Sequence, residues 1–207
     1  MSQPLVERTL RAFSEDLASD QPFPGGGSAS AYAGAIGAAL AAMVARLAAR
    51  KAPQANADFI AEADNLRADF LRLVDDDSAA YARVAEAYKL PKTADAEKRV
   101  RTERMQAALL AAARVPLEIA KTSRRLLEAC ERAKNNAPPS AASDIGVAAL
   151  MGEAALRGAA LNVIINLAAL KDAAQVKALS DELDRAVEGA EAQRKRVTDH
   201  VESRIAR

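Results

Sequence analysis

The 207-residue chain has no tryptophan, four phenylalanines, three tyrosines, one histidine and one cysteine. Each shortage excludes something. A lone Cys130 allows no internal disulfide, and a reducing compartment is expected. The lone His200 stands near the C-terminus. A nucleophilic triad needs a placed histidine, and zinc sites need clustered histidine or cysteine. No metal site is therefore read, and any catalysis falls to Asp, Glu, Lys, Arg, Tyr or Ser. Charge of one sign is also lacking: 29 basic residues meet 28 acidic ones, for a net charge of +1. No long basic run marks a nucleic-acid face. The opening "MSQPLVERTLRAF" lacks the basic-then-apolar plan of a signal peptide. The uncharged run from Ala31 to Ala45 is too short and too rich in Ala and Gly for a membrane span, and Arg46, Arg50 and Lys51 follow it. A cytoplasmic protein without a membrane partner is expected.

Half of the chain is apolar, and most of that half is alanine. Alanine is the best helix former but buries little area. Helices of this kind gain by close approach, so a wide helix–helix or subunit interface is expected. No β-branched run alternates with period 2, whereas apolar residues recur at three- and four-residue spacing. The prediction is an all-α bundle of about six helices, one domain over residues 1–207. The helices are placed at Leu5–Ala18, Ser28–Arg50, Pro53–Tyr88, Thr93–Lys134, a segment from just after Ser143 to Leu170, and Ala173–Ile205. Pro91 ends the third, Thr93 or Asp95 caps the fourth, Pro116 should kink it, Ser143 caps the fifth and Asp172 caps the sixth.

"PFPGGGSASAYAGAIGAALAAMV" opens the second helix. It is no P-loop, because no Gly-Lys-Ser/Thr follows and no strand precedes. A passive linker would end in polar sequence. Two readings remain: a helix N-terminus opened for a carboxylate, phosphate or carbonyl oxygen, and a tight turn that lets two helices touch. Gly34 and Gly37 inside the helix point to close backbone approach. Tyr32 shares a face with Ser28.

In the fifth helix Asp144 and Asn162 are five turns apart and share a face, with Asn166 about 40° away. The residues between them are small. The face is either an interhelical seam or a shallow polar-ended groove about 27 Å long. Asp144 also complements the helix dipole. In the third helix Asp77, Tyr81, Val84 and Tyr88 share a face. Tyrosine offers a heteroaromatic ligand both a flat surface and a hydroxyl; half-buried packing is the plainer role. Mutual repulsion among Asp75, Asp76 and Asp77 can raise one pKa. Lys92, in the loop near Glu97 and Arg101, is either solvated or placed to hold an anionic tail.

Four segments, in order, carry a resemblance to the folate cyclodeaminase/cyclohydrolase family: "PGGGSASAYAGAIGAALAAMV", "DDDSAAYARVAEAYKLPKTADAEKRVR", "AAARVPLEIA" and "SDIGVAALMGEAALRGAALNVIINLAALKD". The resemblance spans essentially the whole chain. It implies an all-helical bundle that dimerises, with a cleft for the folate. It carries over onto Pro24, Gly25, Gly26, Gly27 and Ser28, then Asp77, Lys92 and Arg101, and later Asp144, Asn162, Asn166 and Asp172. Two places depart. Members tend to have Gly-Asn-x-Asn before the Ser-Asp, where this chain reads Ala137 to Ser140. They often carry Leu-Thr then Gly-Lys after the second helix, where this chain reads "LAARKA".

The implied substrate is a tetrahydrofolate derivative, with no further cofactor. The implied reaction is hydrolysis of the methenyl bridge to the 10-formyl form, or closure of a formimino group with loss of ammonia. Hydrolysis is expected first, because the chain carries no formiminotransferase domain. A dimer that binds folate without chemistry is the alternative from another class. Asp77 or Asp144 would stabilise the cation and activate water. Lys92 and Arg101 would hold carboxylates or move a proton. Tyr32, Tyr81 or Tyr88 would pack on the pterin, the glycines would place backbone donors against the pterin or the glutamate tail, and Asn162 and Asn166 would help bind the substrate.

Overall fold

The computed structural model describes residues 3–50 and 53–206. Every regular element among them is helical. A 3-10 turn, Leu5–Glu7, precedes α1, Leu10–Leu17. Then come α2 (Gly26–Ala49), α3 (Pro53–Lys89) and α4 (Asp95–Ala133). A second 3-10 turn, Pro139–Ala141, leads into α5 (Ala142–Leu167). The chain closes with α6 (Ala173–Val187) and α7 (Ala190–Ile205).

α2 lies at the centre, between α3 and α5, and runs antiparallel to both. Gly27 meets Asp77 and Gly34 meets Phe70 on one side; Gly26 meets Asn162 and Gly37 meets Ala148 on the other. α4 covers α3 and α5, and α7 lies along α5. The glycines explain how close this is. A Cβ on Gly34 would stand 2.3 Å from the Phe70 ring, and one on Gly37 would stand 2.9 Å from the Ala148 carbonyl oxygen. Phe70 is wholly buried, so the ring occupies the space that a side chain at position 34 would need. Leu66, Leu117, Leu126, Leu127, Ile145 and Leu156 complete the interior.

Several expected boundaries shift. The final helix is two helices, broken at Gly189, whose φ of 69° is left-handed and suits glycine. α2 begins at Gly26, so two glycines lie inside its first turn. α5 starts at Ala142, out of the 3-10 turn, and Ser143 makes no cap. α4 is capped from within: the Glu97 carboxylate accepts the Thr93 and Ala94 amides at 2.9 and 3.0 Å. Asp172 caps α6 as expected, accepting from the Ala174 and Gln175 amides.

α4 runs unbroken through Pro116. Proline has no N–H, so the Ala112 carbonyl four residues earlier loses its helical donor. The Asn166 side chain supplies one instead, Nδ2 donating to Ala112 O at 3.0 Å. One asparagine on α5 thus repairs the helix across from it.

α2 and the segment Pro139–Leu167 are long and apolar enough to cross a bilayer by length and composition. About half of each most apolar window is buried inside the bundle.

Candidate active site

The loop before α2 turns at Phe23–Pro24 and delivers Gly25 as the N-cap. Gly25 has no side chain to cap with, so the first amides of α2 stay open. The Gly26 and Gly27 N–H groups have no acceptor among the described residues. They sit at the positive end of a 24-residue helix. Gly26 is exposed and Gly27 is buried.

Gly27 is buried by Asp77. A Cβ there would lie 2.1 Å from Asp77 Oδ1. The missing side chain is therefore the seat of the carboxyl group. Ser28, fully buried, stands on its other flank, with Oγ 3.0 Å from Asp77 Oδ2 and 3.0 Å from the Val74 carbonyl oxygen. Ser78 Oγ lies 3.4 Å from the same hydroxyl. Burial pushes the Asp77 carboxyl above the usual aspartate range, and hydrogen bonds from the Ser28 hydroxyl and amide oppose that rise. Repulsion from its acidic neighbours is not the cause. Asp75 is occupied by the Leu5 amide at 2.6 Å, and Asp76 pairs with Arg72 at the surface.

The Ser28 hydroxyl has one hydrogen and two neighbours that want it. Val74 O can only accept. An ionised Asp77 would compete for the same hydrogen. The Ser28 hydroxyl is therefore shared between Val74 O and Asp77 Oδ2, and its bond to the carboxyl group opposes the rise that burial causes.

Asn162 faces Gly26 from α5; a Cβ on Gly26 would lie 3.2 Å from its Nδ2. That nitrogen donates to the Gly158 carbonyl at 2.8 Å, which leaves Oδ1 without a partner among the described residues. Asn166 spends its Nδ2 on Ala112 O and Asn162 O, so the interhelical role holds for it. Beside Pro24 a cleft of about 520 Å³ opens, lined by Leu5, Arg8, Phe23, Asp75, Ser78 and Ala82 among others. Tyr81 stands one turn beyond Asp77, 42% exposed, with its ring centroid 6.5 Å from that of Phe23.

Sequence-predicted residues thus separate into groups. Pro24, Gly25, Gly26, Gly27, Ser28, Asp77, Tyr81 and Asn162 come together, and Asn166 adjoins them. Tyr32 turns inward and packs edge-on against Phe13 of α1, 5.4 Å between centroids. Arg101 lies over the Tyr88 ring at 5.7 Å and reaches the Tyr88 carbonyl. Lys92 is exposed in the α3–α4 loop, 15 residues beyond Asp77. Asp144 is half-buried at the opposite end of α5, about 27 Å from Asn162 by helical rise. One chain does not bring Asp144 or Lys92 to Asp77. Phe23 and Ser78 were missed. Phe23 is the aromatic next to Pro24, but its neighbour Tyr81 is 58 residues away, and only the fold pairs them.

An all-helical bundle with a shielded carboxyl group of raised pKa at an opened helix start suits a class of enzyme that moves a proton without histidine. A model of the formiminotransferase-cyclodeaminase family matches residues 9–185. The chain belongs to that family of enzymes. It is 36% identical to a methenyltetrahydrofolate cyclohydrolase of Methylorubrum extorquens over 202 residues, covering 95% of this chain and 97% of that one. It is 35% identical to the rat formimidoyltransferase-cyclodeaminase over 175 residues, 82% of this chain and 32% of the relative. The chain therefore spans about a third of the bifunctional mammalian protein. The solved structure of a formiminotetrahydrofolate cyclodeaminase from Thermotoga maritima superposes with a TM-score of 0.83 at 26% identity, covering 95% of this chain and 97% of that one.

Proposed function

We propose that the chain is a formimidoyltetrahydrofolate cyclodeaminase. The family's description, the mammalian relatives and the Thermotoga structure all carry that activity in their names. The expected preference for hydrolysis rested on the chain's standing apart from a transferase. The Thermotoga protein removes that reason, since it bears the cyclodeaminase name and this chain covers 97% of it.

Asp77 carries the reading. Ring closure joins N10 to the formimino carbon, with the N10 proton released. The formimino group enters as its cation, –CH=NH2+, so the closed adduct carries an –NH2 group whose departure as ammonia requires one more proton, the one N10 gave up. One group of raised pKa beside the carbon serves both transfers. Asp77 accepts the first proton as carboxylate and returns it as acid. The cationic methenyl product is stabilised by the carboxylate so formed. The Gly26 and Gly27 amides and the free Asn162 Oδ1 bind acceptor and donor atoms of the pterin edge, and Tyr81 with Phe23 offers it flat apolar surface.

Hydrolysis of 5,10-methenyltetrahydrofolate to the 10-formyl form is the second reading. The Methylorubrum relative, aligned over 97% of its length, favours it. The same carboxyl group would take a proton from attacking water. A pair of assays separates the two. Formimino-folate should give methenyl absorbance together with free ammonia, and Asp77→Asn should abolish both. Faster loss of methenyl absorbance with enzyme, without ammonia from formimino-folate, establishes the hydrolase instead. Undiminished turnover by Asp77→Asn would end the assignment of Asp77 in either reaction.

A further inference from the structure

Ser28 stands in the glycine motif but cannot touch a substrate. It is wholly buried, and its hydroxyl meets protein atoms: Val74 O and Asp77 Oδ2, each at 3.0 Å. Ser78 Oγ, at 3.4 Å, is placed to donate to Ser28 Oγ. One hydrogen thus has two acceptors, and they differ in need. Val74 O belongs to the unbroken α3, where the amide four residues on is its helical donor. A second bond to that oxygen is given up at little cost. The Asp77 carboxyl has Ser28 as its hydrogen-bonding neighbour, through the hydroxyl and the amide. An ionised carboxylate draws a hydrogen bond about twice as strong as a neutral acceptor does.

The charged groups around Asp77 are engaged elsewhere. On α3, Asp75 accepts the Leu5 amide and Asp76 is held by Arg72. Tyr81 follows one turn on, against Phe23. In the adjoining cleft Arg8 is paired with Asp16. α2 presents Gly27 and Ser28, and α5 brings the neutral Asn162 up to Gly26. Burial and Ser28 are what remain to act on the carboxyl group.

We propose that Ser28 is a positioning residue whose hydroxyl changes acceptor with the state of Asp77, turning to the carboxyl group when it is ionised and to Val74 O when it is protonated. Gly27 gives the carboxyl group its seat, and Ser28 keeps it able to ionise there. A carboxyl group enclosed without a donor stays protonated and cannot accept a proton from N10. The hydroxyl brings the carboxylate back into use, and its return to Val74 O leaves the acid free to give the proton up. The effect on turnover rests on the reading of Asp77 above; the change of acceptor does not.

Carbon-13 NMR of protein labelled at its aspartate carboxyls tests it. The Asp77 signal is the one missing from Asp77→Asn. In Ser28→Ala its titration midpoint should move up by about one pH unit, the worth of a hydrogen bond to a charged group. Ser28→Cys, a weak donor of similar size, should move it the same way, and it decides the matter should the alanine variant fail to fold. A midpoint that stays in place or falls overturns the proposal. Turnover then separates the proposal from the reading it extends. The acidic limb of kcat/KM should move up with the midpoint, and the rate should recover towards wild type at high pH. A rate depressed equally at every pH, with the midpoint in place, marks a merely structural serine and overturns the positioning role. A moved midpoint with an unmoved acidic limb leaves the role of Ser28 standing and removes Asp77 as the proton carrier.

Discussion

At Gly27 one missing carbon makes room for one carboxyl group. Gly27→Ala would drive Cβ into Asp77, whose side chain can swing aside without moving the backbone. The expected result is a folded protein with turnover lowered about 100-fold or more, since an ångström of misplacement costs that much. Gly26→Ala meets Asn162 at 3.2 Å and should lose far less. Steady-state kinetics beside a thermal melt check both. Asp77 also sets a pH dependence. Its folded pKa is raised above the unfolded value of 3.8, so the stability it contributes is present below pH 3.8 and is lost as pH rises through the folded value. Asp77→Asn escapes that loss. It should melt above the wild type at pH 7 and together with it at pH 3, while activity disappears. A lower melting temperature at pH 7 would contradict the burial argument.

Elements hold together through a few placed residues. Asn166→Ala leaves the Ala112 carbonyl without a donor beside Pro116, and α4 should lose about 1–3 kcal/mol, read from a denaturant midpoint. Gly189→Ala forces a left-handed conformation on a side chain and should cost about 1–2 kcal/mol. Its effect belongs to the α6–α7 corner and should spare turnover. That corner is where sequence reading failed, because the apolar spacing continues across Gly189 and periodicity alone does not see a reversal of direction. Asn166 is the contrasting case. Its place on a small-residue face was legible; its partner was not, since Ala112 O becomes available only through Pro116 and only where α4 crosses α5.

For the molecule as a whole, α7 is fastened to α4 by charge. Arg196 and Gln193 hold the Glu131 carboxyl down to about 2, chiefly through the Arg196 hydrogen bond. A lowered acid pKa contributes stability above the unfolded value of 4.5 and loses it as pH falls through about 2. Glu131→Gln should therefore melt below the wild type at pH 7, with the gap closing near pH 2.

The sequence by itself determined the all-helical class, the close approach at Gly34 and Gly37, and which side chains share a face, because these follow from 3.6-residue periodicity and from the absence of Cβ. Gathering Gly27, Ser28, Asp77 and Asn162 into one site, while sending Tyr32 to Phe13 and leaving Asp144 at the far end of α5, was decided only by the tertiary structure. Three helices cross there from three distant parts of the chain. The pKa of a carboxyl group depends on what encloses it, and no spacing along one helix encodes that enclosure.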